Sequence, residues 1–196
     1  MKGLLIAAAT AALVVAGVYA LNANDEQRGV APVESSGQEP ASPDAGNLRD
    51  ELLHSTAQQV GVTPVRGVWG VLMERGYAKG TATIIALADG TASMYLSTGG
   101  SVVGGKAYPP AHAAALKLCE QAAEFSKETV SAQDFPLPAK GRVRFYVLTT
   151  EGVRVAEGDI LPHATDGGHE PLAPLLAAGD AVLEGLKDAT KRGLIR

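Results

Sequence analysis

Hydrophobic residues in this chain follow two rhythms, a period of two and a period near 3.6, and the places where one gives way to the other mark its elements. The clearest stretch is TATIIALADGTASMYLSTGGSVVGGK, residues 81–106. It predicts one strand over Thr81–Ala88 and a second over Thr91–Ser97, joined at Asp89-Gly90. Glycine there accepts the positive φ that a tight hairpin turn demands. Ile84, Ile85 and Leu87 are apolar on both faces, so this strand is expected to be central in its sheet. Upstream, Arg66–Arg75 reads as a strand carrying the sole tryptophan, Trp69, with residues 76–80 as a loop. Downstream, Val143, Phe145 and Val147 alternate with Arg142, Arg144 and Tyr146, which predicts one core face and one wet face. Glu151-Gly152 turns the chain, and Val153–Glu157 returns it.

The other rhythm predicts three helices. The first runs from Asn47, a good N-cap, to Gly61, with Asp50 and Glu51 in its first turn and His54 facing solvent. The second opens at Pro109-Pro110 and runs to about Lys127, with Ala111, Ala115, Leu118, Ala122 and Phe125 on one stripe. The third runs from Pro171 to about Lys191 along Leu172, Leu175, Leu176, Gly179, Val182, Leu183 and Leu186. The order is α-β-β-β-α-β-β-α. Short loops make the strands antiparallel neighbours. The expectation is an α+β domain over residues 47–196, a five-stranded antiparallel sheet with helices packed on it.

Ahead of the domain lie two segments of other character. Residues 3–21 carry no charge, and at about 19 residues they match the thickness of a bilayer core. Residues 1–21 are therefore a membrane anchor or a signal peptide, with Val18-Tyr19-Ala20 as a cleavage site in the second case. Either way the domain is expected outside the cytoplasm: single-pass in the inner membrane if uncleaved, periplasmic or secreted if cleaved. Residues 22–46 hold Pro32, Pro40 and Pro43 among Ser, Gly, Ala and scattered acids, a linker composition that cannot bury a core.

Composition removes several classes of function. The net charge of −4 and an aromatic content of 5% argue against a nucleic-acid partner. A single cysteine, Cys119, excludes an intrachain disulfide, and it falls in an apolar helical pattern.

Trp69–Glu74, Ala86–Thr91, Ser97–Gly105 and Gly141–Tyr146 together resemble a family of small uncharacterised bacterial proteins. That resemblance implies no activity and no catalytic residue. The order of elements is more loosely similar to roadblock, longin and profilin-like modules, which act mainly as dimerising or adaptor domains. Roadblock domains place the middle helix after two strands, whereas here it follows three predicted ones.

Gly100–Lys106 has the G-x-x-x-x-G-K spacing of a phosphate-binding loop, but Ala107 stands where a hydroxyl is needed and Pro109-Pro110 interrupts the following helix, so no nucleotide or other cofactor is expected. Gly99, Gly100, Gly104 and Gly105 instead suit a tight bend or a contact surface. His163, Asp166, His169 and Glu170 collect metal-ligand types in one loop without the spacing of a helix or strand face. Arg142, Arg144 and Arg154 are expected on one face of the last hairpin, roughly opposite one another, where Glu151 and Glu157 or an anionic partner would offset their repulsion. No nucleophile elbow or paired catalytic carboxylates are visible. Glu74 is expected at a wet strand end, and His112 towards solvent on a first helical turn. The sequence therefore points to a non-enzymatic interaction or adaptor module, binding a protein partner or itself. An extracytoplasmic small-ligand sensing domain is the alternative, and a metal-dependent hydrolase around His163, Asp166 and His169 a third reading.

Overall fold

The computed structural model describes residues 45–160 and 171–195. The apolar run, nearly all of the linker and the His163–Glu170 loop lie outside the described residues. Among the described residues no helix is long and apolar enough to cross a membrane.

The α+β class is as expected, but the sheet has seven strands rather than five. Helix α1 spans Ala45–Leu53 and α2 Ala57–Val60. Strands β1 (Val68–Tyr77), β2 (Gly80–Leu87), β3 (Ala92–Leu96) and β4 (Ser101–Val102) follow. Then come α3 (Pro109–Phe125), β5 (Val130–Ser131), β6 (Arg142–Thr149), β7 (Gly152–Asp159) and α4 (Ala173–Lys191). The strand order is β4-β3-β2-β1-β6-β7-β5, antiparallel throughout. β1 is the middle strand of the seven, and β2 beside it is an interior strand buried over Thr81–Leu87, as expected. The two unpredicted strands are the two edges, each two residues long and too short to carry a period.

The expected first helix is two. Ser55 turns its hydroxyl back to the Glu51 carbonyl (2.6 Å), and Thr56 then caps a new turn. Thr56 Oγ1 accepts from the Gln59 amide while the Gln59 side chain accepts from the Thr56 amide. This reciprocal box satisfies otherwise orphaned donors and restarts the helix. The β1–β2 connection is tighter than predicted, since Tyr77 pairs directly with Gly80.

Helices α3 and α4 cover one face of the sheet and pack on each other. Their stripes bury Ala111, Ala115, Leu118, Cys119 and Ala122 on α3, and Leu175, Leu176, Val182, Leu183 and Leu186 on α4. Each such leucine contributes roughly 1.5–3 kcal/mol of transfer free energy. On the other face, α1 and residues 132–140 lie over β1 and β6. Arg49 ties to Glu74 and to the Phe135 carbonyl, and the Tyr146 hydroxyl donates to the Pro136 carbonyl at 2.7 Å. Phe135 stands edge-on to both His54 and Tyr146, with ring centroids 5.4 and 5.6 Å away. Two expectations fail here for one reason. Glu74 is fully buried rather than wet, and Tyr146 is fully buried rather than on a solvated face, because this second layer closes over them.

Candidate functional site

The glycine-rich corner divides between surface and core. Gly99 and Gly100 sit exposed in the turn after β3, with φ of 99° and 97°. Gly105 is buried, and a Cβ there would stand 2.7 Å from Leu186 Cδ2 and 2.8 Å from Ala92 Cβ. Lys106, the lysine of the phosphate-loop spacing, pairs with Asp89 across the corner. Burial pushes the Asp89 carboxyl up, but hydrogen bonds from Lys106 and Thr91 outweigh it and hold it below the ordinary carboxylate range. His112 packs over the Asp89-Gly90 turn rather than pointing into solvent: a Cβ at Gly90 would fall 2.1 Å from its Nδ1.

The three arginines of the last hairpin do not share a face. Arg142 stands opposite Asp159 and Arg144 opposite Glu157, whereas Arg154 stands opposite Val147 and therefore points to the other side of the sheet. Arg142 bonds Glu157 through Nε (3.2 Å) and Asp159 through Nη1 (2.7 Å). Arg144 forks onto Glu157 and donates to the Pro136 carbonyl at 2.5 Å. These two cations face acids rather than each other. Among the described residues no group of His, Cys, Asp and Glu could hold a metal ion, and the His163, Asp166, His169 and Glu170 candidates lie outside them.

What the structure does assemble is one end of the sheet. The β6–β7 turn, Thr149–Gly152, stands between two surface clefts. One, of about 300 Å³, is lined by Arg66, Lys127 and Arg154 together with Ser126, Thr150 and Glu151. The other, of about 250 Å³, is lined by Trp69, Phe135 and His54, with Leu53, Leu148 and Val153. Thr149 and Glu151 line both. Cations therefore line one side of a single tight turn, and half-buried Phe135 and exposed His54 line the other, with Trp69 buried behind them.

Local backbone rules place these groups. The β1–β6 register slips between Val68 and Gly70, a bulge that re-aims the intervening residue, Trp69. Its indole N–H donates to the Thr149 carbonyl at 3.3 Å. Val65 and Val68 pair around Arg66-Gly67, whose φ values are 49° and 86°. Arg66 is the one non-glycine with positive φ among the described residues. Trp69 and Arg154 stand out in the sequence, but the cleft does not. The signal was present in Arg66-Gly67, an X-Gly pair between two valines.

Compared with models of known protein families, with curated proteins and with solved structures, the chain matches none.

Proposed function

We propose that this chain is a non-enzymatic interaction module, held outside the cytoplasm by residues 3–21, and that it meets a protein partner with the end of the sheet around Thr149–Gly152. The observation that carries this reading is the pair of clefts sharing Thr149 and Glu151. Aromatic side chains and arginines are the groups that dominate contact energies in interfaces, and here both kinds line concavities on either side of one exposed turn. Several ionisable groups elsewhere are engaged in structural pairs. Arg142 and Arg144 hold Glu157, Lys106 holds Asp89, and Arg49 holds Glu74. The turn presents Glu151 outward, and its backbone is set by Thr149, whose hydroxyl donates to the Gly152 carbonyl at 2.7 Å and accepts from the Glu151 amide at 3.1 Å. A preset turn loses little freedom on binding.

The test is site-specific photo-cross-linking of the full chain in living cells. A photoreactive residue replaces Glu151, and a control replaces Glu184, which is exposed on α4. A discrete protein adduct at 151 and none at 184 supports the reading. No adduct at 151, or the same adducts at both positions, overturns it.

A further inference from the structure

Among the described residues, seven arginines are placed, and six of them lie within ion-pair distance of a carboxylate. Arg154 is the exception. Its guanidinium is fixed rather than loose: Nε donates to Thr129 Oγ1 at 2.7 Å, and Nη2 to the Thr129 carbonyl at 2.5 Å. Thr129 is buried, so this edge of the fork is locked from behind. The Nη1 side has no acceptor among the described residues, at the wall of the cleft that also holds Lys127 and Arg66. Lys127, exposed, has no carboxylate partner among the described residues either. Arg66 has a single exposed one, Glu124, at 3.3 Å, and Glu124 is shared with Gln121.

The hydroxyls sort in the same way. Ser126 already donates to the Ala123 carbonyl and Thr149 to the Gly152 carbonyl. Thr150 Oγ1 makes no hydrogen bond among the described residues and lies 3.6 Å from the position a Cβ would take at Gly67. The Arg66-Gly67 turn and the Thr150 hydroxyl are therefore side by side. Asparagine or glycine is the usual choice where φ is positive, and any other side chain there strains the backbone. That strain is consistent with a side chain kept for its charge. Glu151 is the one acid among the residues lining the cleft, against Arg66, Lys127 and Arg154, and Glu124 outside the lining pairs with Arg66.

We infer that this cleft is an anion site for a phosphate monoester, with the Nη1 side of Arg154 as its oriented donor, Lys127 and Arg66 as flanking charges and Thr150 as a hydroxyl donor. A doubly charged group with three equivalent oxygens uses all of these, and the open Nη1 of a guanidinium held from behind by Thr129 makes a charge-assisted bond to one of the oxygens. The inference rests on the reading of this sheet end as the contact surface, and gives that surface a chemical preference.

The experiment uses full-length protein in a neutral detergent and titrates inorganic phosphate by calorimetry at low ionic strength, with chloride at matched ionic strength as reference. Saturable one-to-one binding with a Kd below about 1 mM is expected. R154Q and K127Q should each weaken it about tenfold. R142Q, which lies on the other face with two carboxylate partners, should leave it unchanged. No saturable binding overturns the proposal, as does equal binding by wild type, R154Q and K127Q. K127Q keeps the test valid if R154Q fails to fold, because Lys127 is exposed and makes no bond the fold depends on. Micelles doped with dioleoyl phosphatidate or with dioleoyl phosphatidylcholine then separate two sources. Tighter binding to phosphatidate that R154Q abolishes assigns the phosphate to a lipid headgroup, and equal behaviour assigns it to a soluble monoester. Phosphate binding without a cross-linked partner at 151 would leave the anion site standing and the partner reading fallen; an adduct without phosphate binding would do the reverse.

Discussion

Arg49 reaches across from α1 to put its Nε 2.5 Å from Glu74 Oε1, and Glu74, on the central strand, has no solvent exposure at all. Arg49 Nη2 also bonds Glu74 Oε2 at 3.1 Å and the Phe135 carbonyl at 2.7 Å, and the guanidinium lies 5.6 Å from the centre of the Tyr146 ring. One side chain thereby holds together α1, the central strand and the segment after β5. Breaking a buried pair by removing one partner strands the other charge in a dry interior. Arg49→Met is expected to cost about 3–5 kcal/mol in unfolding free energy. The double replacement Arg49→Met with Glu74→Leu should recover most of that, since a well-packed apolar pair of similar volume carries no stranded charge. Urea unfolding of both variants decides it. A double variant no more stable than the single one would show that the pair is not the source of the loss.

Gly105 marks the corner where the chain leaves β4 for α3. Gly105→Ala forces a methyl to within 2.7 Å of Leu186 Cδ2 and 2.9 Å of the Ala92 carbonyl oxygen, and that oxygen cannot rotate away. A loss of about 1–3 kcal/mol is expected from overpacking. Gly99→Ala meets nothing within 4 Å and suffers only from its φ of 99°, so its cost should stay nearer about 1 kcal/mol. Thermal melts of the two variants give the comparison. Equal losses would mean that backbone strain, not the Leu186 and Ala92 contacts, governs the corner.

How much of this could be read beforehand depends on the range of the interaction that fixes each feature. The Asp89-Gly90 hairpin was legible because its turn chemistry and alternation are local, and Ala86 does pair with Ala92. The stripes of α3 and α4 were legible for the same reason. The edge strands β4 and β5 were not, because two residues carry no period and exist only through their partners. Glu74 looked like a strand end because the residue that buries its charge, Arg49, lies 25 positions away. The side of Arg154 turned on the register of a single turn. With Thr149 facing Gly152, even-numbered residues of β6 face odd-numbered residues of β7, so Arg154 falls opposite Val147. A one-residue change in that turn would have put it beside Arg142 and Arg144. The cationic cleft was hidden for that reason.

Cys119 should be inert in the native protein. It is fully buried on α3, with Sγ 3.7 Å from the Ala86 carbonyl oxygen. Burial, followed by the nearby charges of Asp89 and Glu120, pushes its thiol up to about 12. The thiolate is the reactive form, so at pH 8 its population is negligible. A disulfide reagent such as DTNB is expected to leave the folded chain unlabelled over the time in which the denaturant-unfolded chain reacts completely. Rapid labelling of the native protein would mean that α3 opens from the sheet far more often than its packing implies.

The Arg142–Glu157–Arg144 cluster predicts a pH dependence of definite sign. Hydrogen bonds from Arg144 hold the Glu157 carboxyl below its ordinary value of 4.5; burial opposes this, and Arg142 adds to the lowering. A carboxylate whose folded value is depressed stabilises the fold above its unfolded value, and that contribution is lost as pH falls through the lower, folded value. The group is largely solvated, so screening limits the effect to under about 1 kcal/mol. E157Q should therefore be less stable than wild type at pH 7 by a fraction of that amount. The gap should begin to close as pH drops below about 4.5 and should vanish once pH lies below the lowered, folded value, where Glu157 is protonated in both states. Subtracting the two curves removes the titration of every other group. A gap that persists unchanged below that value would assign the loss to changed packing at position 157 rather than to the charge that Arg142 and Arg144 share.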